Sequence, residues 1–441
     1  MQRRTFLRLL ASGAALGSVP SLIGTGHADG QSYGGPYWIF VTALGAWDPR
    51  FHFDPTLEAA QNRRYTDIGK VGNISFAPIA VDQEALGLGV DTDFSPYLLS
   101  NEQFLTKHGK RLTVINGIDT ATNNHETGQR SALSGHNPEG YPAIGSLVAK
   151  THGPTQPIAF MSSGGYDTTA GLVPLARITD VDALRNLSAP NTVDPKNAMS
   201  ESYHSAETFA RIRALSRERL AQDRIEQRLP RIQRSLERLE SARANDNLLA
   251  QLKLPDKLPE IPSYQLDDLE RFQRQAELAF AGFSSGLVVS ANLQLGGFDT
   301  HANHDRDQVR QLVKLWGGIG YLFDRLDALG IGQNTYVVVA SDFARGPRYN
   351  SENTNAGKDH WPITSMLLAG PGIEGDRVIG ATTPEQLATT VDPKTLAASG
   401  SGVKITPAGI HRALRQLAGI APELEQRFPL SGDVLPLFGR A

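Results

Sequence analysis

Asp299, His301 and His304 fall within six positions in "GGFDTHANHD" (Gly296–Asp305), directly behind the apolar run "GLVVSANLQL". A carboxylate and imidazoles so close together are oxygen and nitrogen donors for a divalent cation. The chain has no cysteine, so thiolate ligands and cysteine nucleophiles are excluded. Three further donors stand in similar settings: Asp48 in "GAWDPRF", Asp342 in "ASDFARG" and His360 in "KDHWP". Three or four of these six would hold zinc, manganese or calcium, and such an ion polarises an ester oxygen or lowers the pKa of a bound water. Each also has an ordinary role open to it. Asp48 before Pro49 can start a turn, Asp342 can cap a helix, His304 can begin one, and His360 can pack in a loop. Their joint placement is what points to a site.

The elements that must position them read as follows. "YWIFVTAL" (Tyr37–Leu44), "RLTVING" (Arg111–Gly117), "QPIAFMSS" (Gln156–Ser163), Gly286–Leu295, "TYVVVAS" (Thr335–Ser341) and "ITSMLLAGPGI" (Ile363–Ile373) are apolar, β-branched runs that predict buried strands. Helices are predicted over 267–283, over "RDQVRQLVKLWGGIGYLFDRLDALG" and behind Thr406 as N-cap. Alternating strands and helices predict an α/β fold with a mostly parallel sheet, whose ligands gather beyond the carboxyl ends of the strands. Asp48, Asp299 and Asp342 each end a different predicted strand. Between Glu201 and Asn247, Phe209, Ile212, Leu215, Leu220, Ile225 and Leu229 recur at helical spacing among Arg and Glu, with Pro230 as a break. This predicts a helical insertion at about 200–265, closed by the proline-rich "LKLPDKLPEIPSY".

The N-terminus carries a separate message. "RRTFLR" precedes a short, glycine-rich apolar stretch and "GHA", the layout of a signal peptide over residues 1–28. Twin arginines predict export by the twin-arginine translocase to the periplasm or beyond, with residues 29–441 as the mature domain. The apolar stretch is short of the ~20 residues a permanent span needs, so no transmembrane segment is expected in the mature chain. A net charge of −3 without a basic block argues against nucleic acid as a partner, and 40% apolar residues are enough for a large core.

"GGFDTH", "SDFARGPRYN…GKDHWP", "LGAWDP" and the twin-arginine leader together resemble the DUF1501 family, itself distantly similar to the alkaline phosphatase and sulfatase superfamily. The resemblance implies an alkaline phosphatase-like three-layer α/β/α sandwich, with one or two metal ions at the carboxyl edge. It implies Asp299, His301 and His360 for the first ion, with His304 competing with His301. Asp48 and Asp342 correspond to ligands of a second. Two departures stand out. Phe343 follows Asp342 where the superfamily pattern has histidine, and the segment expected to open a helix with a nucleophile reads "TATNNHETGQRSALSG". Asn124 or His125 falls at the nucleophile's place, with Thr127 the nearest hydroxyl on the helical side. Arg345 and Arg348 are the candidates to clamp an anion, because guanidinium binds oxyanions in pairs of hydrogen bonds.

The expected function is an exported metal-binding protein that hydrolyses a small anionic phosphate or sulfate ester. The alternative is a non-catalytic protein of the same fold that binds a cell-envelope polymer or a partner protein. An oxidoreductase is the lesser option, since no dinucleotide glycine fingerprint follows a strand.

Overall fold

Buried β-branched runs set the architecture. The computed structural model describes residues 33–438 except 179, 180, 198, 245–248, 250, 251, 253, 256 and 433, so the predicted leader lies outside the described residues. Eight strands form one sheet: β1 (Tyr37–Ala43), β2 (Thr113–Asp119), β3 (Phe160–Ser162), β4 (Leu175–Arg177), β5 (Ser290–Leu295), β6 (Thr335–Ser341), β7 (Ile363–Ala369) and β8 (Arg377–Ile379). Their order is β8-β2-β7-β6-β1-β5-β3-β4. All pairs are parallel except those of β7, which runs antiparallel to β2 and β6. Every residue of β1, β6 and β7 is buried, which is why these strands read as continuous apolar runs with no alternation.

Helices cover both faces. Ser290 lies beside Trp38 in register, and its hydroxyl donates to the Gly145 carbonyl (2.7 Å) in the helix Ile144–His152. Tyr37, one residue along β1 and so on the opposite face, stacks on Phe283 (centroids 4.6 Å apart) of the helix Asp267–Ser284. The long helix His304–Ala328 joins that second layer, and His125–Ser134 and Pro407–Leu417 join the first. The result is the expected three-layer α/β/α sandwich. Thr406 caps its helix as predicted, accepting from the Gly409 amide (3.2 Å).

Several boundaries differ from the sequence reading. The strand predicted from Arg111 begins at Thr113 and runs on to Asp119, and residues 286–289 form the turn that precedes β5. The antiparallel sense of β7 and the hairpin Ala344–Tyr349/Lys358–Trp361 were not foreseen. In the insertion the helical pattern breaks at Pro230 as expected: Pro230 opens a second helix (Pro230–Ala244) after the first (Ala206–Glu226), consistent with proline's tolerance in a first helical turn. The first of these helices buries only Leu220 and leaves Ile212, Leu215 and Ile225 exposed. Among the described residues no helix is long and apolar enough to cross a membrane.

Candidate metal centre

Asp342 follows the last residue of β6 and is fully buried. Its Oδ1 accepts from the Ala46 amide (2.6 Å) and the Ser341 hydroxyl (2.9 Å), which fixes the carboxylate against the loop leaving β1. Its Oδ2 meets Nδ1 of His125 at 2.5 Å. His125 is the first residue of the helix His125–Ser134, capped by Asn124, whose side-chain oxygen accepts from the Thr127 amide (3.1 Å). The helix comes this close because its fourth residue is Gly128. A Cβ there would stand 2.5 Å from the Asp342 carbonyl oxygen.

A carboxylate can only accept, so the Asp342 contact places the proton of a neutral His125 on Nδ1 and turns the Nε2 lone pair outward. That Nε2 is sealed from water and has no hydrogen-bond partner among the described residues. His360 is fixed in the same way: its Nδ1 donates to the Asn123 carbonyl (2.8 Å), leaving the lone pair on Nε2, which His301 Nε2 meets at 3.0 Å. Both Nε2 atoms lie 3.5 Å from Asp299 Oδ1. Together these three residues form a group with ligand atoms all within 4.8 Å of one another. Ligands about 2.0–2.2 Å from a tetrahedral ion sit roughly 3.3–3.6 Å apart, so the N···O separations match an ion's coordination edge. The residues present therefore fit one divalent cation, and two imidazoles with one carboxylate suit zinc or manganese better than calcium, which prefers six or more oxygens.

His301 borders this group, its Nε2 3.0 Å from His360 Nε2 and 3.2 Å from Asp299 Oδ1. Arg345 Nη2 donates to the same Asp299 oxygen (2.6 Å), and the guanidinium is otherwise held by the carbonyls of Gly45, Ala46 and Lys358 and meets His301 Nε2 (3.3 Å). Burial alone would raise the Asp299 carboxyl, but Arg345 holds it below the usual range. His125 is raised by its hydrogen bond to Asp342.

The structure thus brings together His125, Asp299, His360 and, at their rim, His301, with Asp342 behind. It places the other expected residues elsewhere. Asp48 and His304 are fully buried and bonded to each other (2.9 Å), and Asp48 also takes the ammonium of Lys358 (2.6 Å). His304 resolves its competition with His301 by turning inward, its Nδ1 engaged by Thr300 Oγ1 at 2.8 Å. Arg345 is wholly buried, and its guanidinium is turned to Asp299 and backbone carbonyls and not to the cleft. Arg348 is exposed and lines a 580 Å³ cleft with His360, Asp359, Trp361 and Leu387. Asn124 is a helix cap. Thr127 follows it on the first turn. Phe343, in the place of an expected histidine, packs its ring against His125 and His360 (4.8 and 4.6 Å) as an apolar wall. Sequence reasoning overlooked Lys358, though "KDHWP" was in view. The register of this strand shifts between Lys358 and His360, so the two side chains part company, the lysine to Asp48 and the histidine to Asn123.

No curated protein matches the chain. Solved structures similar to it include the PsFucS1 sulfatase from Pseudoalteromonas sp., 9% identical, covering 92% of this chain and 74% of its own, at a TM-score of 0.40. The lipoteichoic acid synthase LtaP from Listeria monocytogenes is 10% identical, covering 93% and 75%, at 0.37. The alkaline phosphatase from the Antarctic bacterium TAB5 is 10% identical, covering 79% and 95%, at 0.31. A family profile described as "Protein of unknown function (DUF1501)" matches residues 39–399, and the chain belongs to that DUF1501 family.

Proposed function

We propose that this chain is an exported, metal-dependent hydrolase of phosphate or sulfate esters. The observation that carries the reading is the convergence of two outward-turned imidazole nitrogens on Asp299 Oδ1, each 3.5 Å away. A bound divalent cation supplies Lewis-acid polarisation of an ester oxygen and a water of lowered pKa. The chain's own residues do the rest. Asp342 and the Asn123 carbonyl hold the two imidazoles in the ligating tautomer, and Arg345 steadies Asp299. Arg348, at the mouth of the adjoining cleft, orients the anionic group of the ester. The position that opens the helix is His125 and not a hydroxyl residue, so water is the attacking oxygen. Export follows from the twin-arginine leader.

The test is metal content by mass spectrometry on protein purified without chelators, beside a His125→Ala/His360→Ala variant, followed by a panel of phosphate and sulfate esters. About one equivalent in the parent, lost in the variant together with turnover, is the expected result. Metal bound without turnover on any ester would favour the second reading, a non-catalytic scaffold. That reading has its own observation: the arm of residues 206–244 carries ten arginines against six acids and leaves apolar side chains exposed. Such a surface suits an anionic envelope polymer or a partner protein.

A further inference from the structure

The loop behind the metal centre holds a second, deeper group of charges that the proposed reaction does not use. Asp48, His304 and Lys358 are each wholly buried. Every acceptor of Asp48 is engaged: Oδ1 by the Arg50 amide (2.9 Å), Oδ2 by Lys358 Nζ (2.6 Å) and His304 Nε2 (2.9 Å). The ammonium is equally well surrounded. It donates to the Gln61 carbonyl as well (2.6 Å) and lies 5.1 and 5.0 Å from the ring centres of Phe51 and Tyr349. Two acceptors and two aromatic faces make a cavity shaped for a cation, already filled by one from the chain itself.

We infer that Lys358 Nζ serves as the second cation of this sheet edge, so that the centre takes one metal ion and Asp48 is not among its ligands. The inference rests on the metal-binding reading above. A dication would have to displace Nζ to reach Asp48 Oδ2, and beside a retained ammonium it would meet strong repulsion in a dry interior. His304 offers it no free nitrogen, because both ring nitrogens are engaged. The lysine also ties this internal charge to the metal centre. It precedes His360 by two residues on one strand, and its carbonyl accepts from Arg345 Nη1 (3.1 Å), whose other arm holds Asp299. Lys358 thus supplies a neutralising charge at this edge, while His125 and His360 keep their own partners in Asp342 and the Asn123 carbonyl.

The experiment is a titration with zinc and with manganese, followed by calorimetry and by mass spectrometry of the desalted protein. It compares the parent with an Asp48→Asn/Lys358→Met variant, in which both charges are removed together so that neither is left alone in the interior. The parent is expected to saturate at about one equivalent. The double variant is expected to keep that equivalent, with affinity weakened by less than the roughly tenfold or more that loss of a ligand-orienting partner costs. Two equivalents in the parent, or loss of the ion in the double variant, would overturn the inference while leaving the metal-dependent reading intact. No metal in the parent under any condition would overturn both.

Discussion

His125 and His360 reach the same oxygen but lean on different supports. His360 leans on a backbone carbonyl, which no substitution removes, whereas His125 leans on the buried carboxylate of Asp342. Asp342→Asn keeps the shape and removes the charge, and an amide can present its N–H to Nδ1 and reverse the tautomer. Zinc affinity should fall about 10–100-fold, read by competition with a chromophoric chelator, while the melting temperature changes little by comparison. At this scale the sequence showed the donors but not their partners. Asp299 and His301 were legible from residue type and from position behind a strand, and His360 from residue type and the motif "KDHWP". His125 was read as a site residue in the nucleophile's place. Its pairing with Asp342 depends on a helix crossing the end of a strand 217 residues away in sequence, which no local pattern encodes. Asp48 and Asp342 looked alike in sequence, each an aspartate at a strand end. Only tertiary packing separates them, one facing Lys358 and the other facing His125.

Elements deliver these side chains by close approach. Gly128 lets its helix touch the end of β6, and Gly45, at φ 110°, lets the loop after β1 pass Asp299, where a Cβ would lie 2.5 Å from the Asp299 amide nitrogen. Gly128→Val should push the helix off Asp342, costing about 1–3 kcal/mol of stability and weakening metal binding together, as thermal melts with and without zinc would show. Lys358→Met alone should be costlier, about 3–5 kcal/mol by urea unfolding, because it strands the Asp48 carboxylate in the interior. In isolation burial would raise that carboxyl, and it is Lys358 and His304 that hold it ionised and well below the ordinary range. The long elements were legible from their apolar patterns: β1 and β6 as continuous buried runs, the helix behind His304 and the two arm helices from apolar residues at helical spacing. The hairpin of Ala344–Tyr349 and Lys358–Trp361 was not, since its strands are short and rich in charged residues that tertiary contacts bury.

Across the whole molecule, several histidines are kept neutral by burial. His52 is pushed down to about 3, and His108 and His411 to about 4, chiefly by desolvation. Each stays uncharged in the folded protein, while the unfolded chain takes up a proton below pH ~6.5. The unfolded state therefore binds more protons in that window. Stability should fall as pH drops from about 6.5 toward 4, by roughly 1.4 kcal/mol per pH unit for each histidine. His52 sits among Trp47, Phe53 and Trp316, with no hydrogen-bond partner for either nitrogen among the described residues. His52→Phe should reduce the acid slope by one histidine's share while shifting stability at pH 8 by no more than about 1.5 kcal/mol. Urea unfolding at a series of pH values measures both. An unchanged slope would mean that His52 is protonated in the fold.

The antiparallel sense of β7 has a consequence for how this protein can vary. The chain leaves the sheet at Ser341 and re-enters it at Ile363 from the same edge, so Asp342, Arg345, Lys358 and His360 never leave the neighbourhood of Asp299 and its candidate site. A parallel return would have carried the chain the full length of the sheet to the opposite end before it could pair again. Both ends of this excursion are clamped in one sheet, and its tip, residues 350–357, is a turn. That tip is itself fixed to the segment carrying His301, since its Asn355 and Ala356 carbonyls accept from the amides of Asn303 (2.8 Å) and His304 (3.0 Å). A change of length there would be felt at Asp299 and His301, so the excursion is constrained at its tip as well as at both ends.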